Sequence, residues 1–279
     1  MSDFGRKRCV NDYRREELNI VFYLDSDYEE IQIGETRFGQ AVQIRGIDDG
    51  QALRLIVDII RQFGMEMVFT RYLPKPQQIP VDKYLKQVEK KGKYFLPVEV
   101  GGLKFSFGRI PAFNQAFLSI EEVIAGSAVS WDNWLNPFLE VSGFAQAWVT
   151  DAEYDYWQNA KSLLLYETEG RSYKHLPTKS NGLPPPLDGL EIDTSDNPGR
   201  WVLKSGYREA VGSRMWLSSL FWQLAGTDIK DVELSANGFD VQYLSNGITK
   251  IIAAENCFCD GTTEEAQRKL RSILYDKKP

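Results

Sequence analysis

The chain has 279 residues, 39 acidic against 33 basic side chains, a net charge of −6 and a single histidine, His175. Hydrophobic residues at 43% and aromatics at 13% suffice for a sizeable core, which excludes disorder over most of the length. The negative balance opposes nonspecific nucleic-acid binding, and no stretch approaches the ~20 apolar residues of a membrane span.

In chain order, residues 1–17 read as a flexible polar arm whose Arg6, Lys7, Arg8, Arg14 and Arg15 precede no apolar export segment. Leu18 to Leu24 reads as a short β-run, followed by an acidic turn from Asp25 to Glu30. Asp48 or Asp49 caps a helix whose Leu53, Ile56, Val57, Ile60 and Phe63 follow helical spacing, with Gly64 as its stop. Met65 to Tyr72 predicts a strand. Pro80 to Lys91 predicts a second helix, with Val81, Tyr84, Leu85 and Val88 inward. Its outer lysines (Lys83, Lys86, Lys90, Lys91, Lys93) suit either solvent or an acidic partner. Gly101-Gly102 signals a hairpin between Tyr94–Val100 and Leu103–Arg109.

Ser119 with Glu122 has the form of a capping box for a short helix, and Thr150 with Glu153 that of another running through Leu165. Between them lie Trp131-Asp132-Asn133-Trp134 and a strand from Ser142 to Val149. Residues 167–199 form a long Pro- and Gly-rich loop, a length that marks a functional segment or a linker. Ser218 starts a short helix stopped by Gly226. Asn246-Gly247 joins Phe239–Leu244 to Ile248–Ala254, and Thr262 with Glu265 caps a last helix. Helices interspersed with hairpins predict an α+β fold: a mixed, largely antiparallel sheet with helices packed on its faces. Residues 18–279 are expected to make a single body.

The chemistry is sparse. Asp25-x-Asp27 at a strand end is the pattern with which some phosphatases and glycosyltransferases hold a divalent cation, but Glu29 stands where the phosphatase pattern expects Thr or Val. A metal-dependent phosphotransfer or glycosyl-transfer enzyme using Asp25 and Asp27 is therefore one alternative. Cys257-x-Cys259 has neither a second pair nor a nearby histidine, so it predicts structural cysteines and no zinc site. The third cysteine, Cys9, is expected as an exposed thiol. Three cysteines are too few for a disulfide framework and point to the cytoplasm. There is no serine-hydrolase elbow, phosphate loop, zincin motif or dinucleotide fingerprint. The expectation is a binding protein without enzymatic activity or cofactor, with no nucleic-acid or membrane partner.

Charge patterning points to a surface. Between Thr150 and Asn197 the acids Asp151, Glu153, Asp155, Glu167, Glu169, Asp188, Glu191, Asp193 and Asp196 face Lys161, Arg171, Lys174 and Lys179. We read Asp151, Glu153, Asp155, Asp188, Glu191, Asp193 and Asp196 as partner-binding carboxylates, with Trp131 and Trp134 as candidate aromatic anchors.

The stretch Gly206-Tyr-Arg-Glu-Ala-Val-Gly-Ser-Arg-Met-Trp-Leu-Ser-Ser-Leu-Phe-Trp222, followed by Gly226, resembles immunity proteins of bacterial polymorphic (contact-dependent or type VI secreted) toxin systems. In that family a Pro-containing loop leads into a Trp-rich segment, a Gly and an acidic hairpin, which here corresponds to Leu183 to Asp240. The resemblance covers about the last third of the chain. It implies a cytoplasmic α+β protein that occludes the active site of a cognate toxin, commonly a basic nuclease, and carries over no catalytic residues. A scaffold role in a secretion or phage-derived assembly is the other alternative.

Overall fold

The computed structural model describes residues 14–33, 36–72, 75–92, 97–229 and 231–276, with the backbone alone over 26–33, 36–43, 231 and 232. Strand β1 (Glu16–Tyr23) leads into β2 (Asp25–Ile33), β3 (Thr36–Arg45) and helix α1 (Asp49–Gln62). Then come β4 (Val68–Arg71), β5 (Gln77–Pro80), α2 (Val81–Lys91), β6 (Val98–Val100), β7 (Leu103–Ile110), β8 (Gln115–Glu122), α3 (Trp131–Leu139) and β9 (Phe144–Asp151). The chain continues through α4 (Ala152–Asn159), α5 (Leu163–Thr168), β10 (Thr178–Ser180), β11 (Leu190–Ile192), β12 (Val202–Lys204), β13 (Tyr207–Glu209) and β14 (Arg214–Leu217). Last are α6 (Ser219–Ala225), α7 (Asp231–Ala236), β15 (Asp240–Tyr243), β16 (Thr249–Ile252) and α8 (Glu264–Tyr275).

Ten strands form one sheet in the order β15-β16-β14-β9-β1-β8-β7-β6-β4-β5, antiparallel at every joint. Three two-stranded ribbons, β2–β3, β10–β11 and β12–β13, stand apart from it. The α+β class and the helix-covered faces agree with the sequence expectation.

Alternation sorts the strand side chains into two cores. Leu18, Ile20 and Phe22 of β1 pack with Phe105, Leu118 and Ile120 against α1, α2 and α3, where Leu53, Ile56, Tyr84, Trp134 and Phe138 close the layer. Val21, Trp148, Met215, Leu217 and Ile251 point to the opposite face and meet Phe221 and Trp222 of α6 and Leu270 and Leu274 of α8. Strand β9 lies between both cores, and all eight of its residues are buried.

Local signals hold where packing agrees with them. Asp48 Oδ1 accepts from Gln51 N and caps α1; Ser218 Oγ accepts from Phe221 N and caps α6, which Gly226 ends at φ 66°. Elsewhere they yield. Ser119 and Glu122 lie on strand β8, not at a helix start, because Leu118 and Ile120 pair with both β1 and β7. Glu122 is buried and accepts instead from Glu16 N and Ala128 N. The helix expected from Thr150 to Leu165 is two helices interrupted at Ala160 in extended conformation, and its cap is Asp151, which accepts from Tyr154 N. Thr263, not Thr262, precedes α8. Asp25 to Glu30 is strand rather than turn, and Glu16 and Glu17 of the expected arm belong to β1. Residues 1–13 of that arm, Cys9 among them, lie outside the described residues. Among the described residues no helix is long and apolar enough to cross a membrane.

One close approach fixes how β14 enters the sheet. A Cβ on Gly212 would stand 2.5 Å from Val149 O and 3.0 Å from Trp148 Cβ, so no larger residue fits without moving β9. Gly212→Ala is therefore expected to cost about 1–3 kcal/mol by overpacking, and Trp134→Ala about 3–5 kcal/mol by leaving a cavity. Urea denaturation of each variant measures both; a Gly212→Ala chain as stable as the parent would contradict the tight β9–β14 joint.

Candidate partner-binding surface

Behind β9 the chain leaves the sheet and builds an outwork on a third, smaller core. Ala160, Tyr166 and Ile192 are buried there, with Trp157, Leu163, Leu165, Tyr173 and Leu176 packed around them. The rings form a run of edge contacts: Tyr156 to Trp157 at 5.1 Å, Trp157 to Tyr166 at 4.8 Å and Tyr166 to Tyr173 at 6.2 Å. A backbone bond from Ile192 N to Lys161 O at 2.9 Å ties the β10–β11 ribbon down, and Asp193 N to Pro177 O at 2.8 Å closes the ribbon at its base. After the ribbon, the ends of α4 hold the chain again. Gln158 Oε1 accepts from Gly199 N, Gln158 O from Asn197 Nδ2, and Asn159 Oδ1 from Trp201 N. The 167–199 loop is thus an ordered ribbon with its own anchor.

The carboxylates singled out from sequence divide into three environments. Asp151 is buried as the cap of α4, 3.5 Å from Arg14, and burial pushes its pKa up. Glu153, Glu191 and Asp193 pair with Arg171, Lys161 and Lys179; the last pair spans 2.9 Å. The Lys179 ammonium, with Ser195, holds Asp193 down to about 2. Asp188 and Asp196 are exposed, and no ion pair involves either of them among the described residues.

Asp155 turns inward. A cleft of ≈ 650 Å³ runs between α4 and the edge of the second sheet face, lined by Arg15, Glu17, Lys104, Glu121, Asp155 and Trp157 among others. Glu17 accepts from Ser119 Oγ, and Lys104 Nζ reaches Glu121 at 2.6 Å. The Arg171 guanidinium lies 4.1 Å over the Trp157 ring while it pairs with Glu153. Burial, then repulsion from Glu17, pushes Asp155 up to about 8, with Arg208 and the Trp201 indole offsetting part of the effect. Burial likewise raises Glu17 and lowers Arg208 to about 10. Arg208 is sandwiched between the rings of Phe117 at 4.8 Å and Trp201 at 5.0 Å, and its Nε donates to Gln115 Oε1. Two carboxylates with raised proton affinity in one cleft are the sort of perturbed pair that marks functional sites.

Trp131 and Trp134 lie within α3 and are buried, at 3% and 1% exposure, so their bulk fills the first core. Trp134 Nε1 donates to Ala128 O, and Trp131 Nε1 to Glu16. Glu16 also pairs with Arg214 and receives the Cys257 thiol at 3.1 Å, at the wall of a second cleft of ≈ 690 Å³. Its carboxylate is fully engaged in holding β1, α3 and β14 together, so that cleft reads as structural. Beyond the end of β16, Cys257 is buried in the first core and Phe258 in the second, so the two side chains go to opposite faces of the sheet. Burial pushes the free Cys257 thiol up, which removes it as a nucleophile, and Cys259 is disulfide-bonded. Asp25 pairs with Arg45 at 2.7 Å, and the Asp27 side chain lies outside the described ones. Among the described residues no group of three or more His, Cys, Asp or Glu side chains is placed to hold a metal. His175 is exposed in the loop.

The sequence reading did not single out Glu17, Trp157 or Trp201, and it gave Arg171 and Arg208 no place in a site. Only Glu17 had a local signal, since Glu17 and Asn19 alternate with Leu18 and Ile20.

The raised Asp155 pKa has a pH consequence. The folded chain holds this proton until about pH 8, whereas the unfolded chain releases it near 4, so the folded state binds more protons in between and its stability falls as pH rises through that window. Asp155→Asn is expected to leave the melting temperature near parental at pH 5 and to raise it at pH 8. Thermal melts at the two pH values test this, and an equal shift at both would refute the burial of the carboxylate.

Searches against protein-family models and against curated proteins find no match. Among solved structures, the chain is similar to the Pseudomonas aeruginosa T6SS protein PA0821, with a TM-score of 0.45 and 11% identity over 95% of this chain and 75% of that one.

Proposed function

We propose that this chain is a binding protein whose α4–ribbon surface captures a basic protein, and that the captured protein is a cognate toxin held with its active site covered. The observation that carries the reading is the ordered ribbon: Asp188 and Asp196 stand exposed on a segment with its own small core, so a partner can be engaged without disturbing the sheet. The resemblance of the Gly206–Trp222 stretch to immunity proteins supports the finer assignment. A toxin that cleaves nucleic acid must bear positive charge where phosphates bind, and a negative surface steers itself to such a groove.

The anchors of such a complex are not Trp131 and Trp134, which stay in the core. Charge would set the encounter rate and partner choice, and apolar contacts the lifetime.

The test is biolayer interferometry between this chain and the protein encoded beside its gene. A nanomolar complex is expected, with an association rate that drops at least tenfold as salt rises from about 50 to about 500 mM. Absence of binding, or an association rate indifferent to salt, would overturn the reading.

A further inference from the structure

The tip of the β10–β11 ribbon carries more than charge. Residues 182–190 are all exposed, and among them Leu183, Leu187 and Leu190 stand 50%, 67% and 62% open around Pro184-Pro185-Pro186. Single exposed leucines are ordinary, but three beside three prolines on one projecting turn form a patch that no other described residue covers.

The patch is also held in shape. Asn181 Oδ1 accepts from Leu183 N at 3.1 Å and Gly189 N at 3.2 Å, and its Nδ2 donates to Leu187 O at 2.9 Å. Its own backbone N donates to Gly189 O at 2.9 Å, Leu187 N to Pro184 O at 3.0 Å, and Ser180 Oγ accepts from Gly182 N. One asparagine side chain thus closes the loop from both sides. Order of this kind lowers the entropy lost on association, which is where a preformed loop gains affinity.

We propose that this tip is an apolar knob, held in shape by Asn181, that seats in an apolar groove rimmed by basic side chains on the protein partner. Charge selects the groove. Asp188 is the only charged residue from Ser180 to Leu190, and Asp196 stands exposed in the turn that follows β11. A lipid surface fits poorly, because anionic headgroups would meet these carboxylates. The inference rests on the reading above and adds the element that would set the lifetime of the complex.

The experiment uses the full chain, with the protein encoded beside its gene as the probe and phosphatidylglycerol vesicles as a second arm. Leu183→Ser, Leu187→Ser and Leu190→Ser combined should raise the dissociation rate about 100-fold or more at an unchanged melting temperature. Asn181→Ala should raise it by a smaller factor with all three leucines in place. Asp188→Asn with Asp196→Asn should slow association and leave dissociation nearly unchanged. If the parent binds and the triple-serine chain dissociates at the parental rate, the knob is wrong while the binding reading stands. If the parent does not bind, the binding reading fails and takes the knob with it. Vesicle capture by the parent that the serine chain loses would also overturn the proposal, in favour of a membrane.

Discussion

Strand β9 is the constraint on which the molecule turns. Every one of its residues is buried, with Ala147 and Val149 in one core and Trp148 in the other, so it must be covered on both faces. A buried strand still carries polar side chains, and each needs a partner. Gln146 is fully buried and exchanges hydrogen bonds with the backbone of Arg208, donating to its O and accepting from its N. Gln115, equally buried on β8, donates to Lys204 O and Tyr207 O. These two amides bolt the β12–β13 ribbon onto the sheet and so bring Arg208 beside Asp155.

That arrangement explains why charge on this face behaves in two ways. Arg208, Asp155 and Glu17 are drawn inside by the ribbon and by α4, where desolvation dominates and shifts their proton affinities. Beyond α5 the chain leaves for the β10–β11 ribbon, whose carboxylates are solvated or paired with lysines. Exposed pairs such as Lys179–Asp193 contribute little to stability. They shape a surface and leave most of the folding energy to the apolar layers.

The third core makes the outwork possible. Tyr166 and Ile192 are distant in sequence, yet with Trp157 and Tyr173 they give the ribbon an apolar footing of its own. Order at the tip then comes from hydrogen bonds, most of them made by Asn181, and not from packing. A segment built this way can present leucines to solvent without loss of shape.

The helices with strong period, α1, α2 and α8, and the Gly101-Gly102 and Asn246-Gly247 hairpins were legible, because periodicity and turn chemistry are local. So were the caps at Asp48 and Ser218. Ser119–Glu122 misled because a capping box is worth about 1 kcal/mol and pairing with two neighbouring strands outweighs it, whereas Thr150–Glu153 missed by one residue, since Asp151 caps α4 while Thr150 still pairs with β1. The acidic segment was legible as charge, but not which carboxylates would be paired, which buried and which free. By itself the sequence determined the α+β class, the elements with strong local signals and the negative surface. Only the tertiary structure decided that Trp131 and Trp134 are core, that Asp155 faces Glu17 and Arg208, and that the long loop is a ribbon, because burial and long-range pairing depend on what lies across the fold.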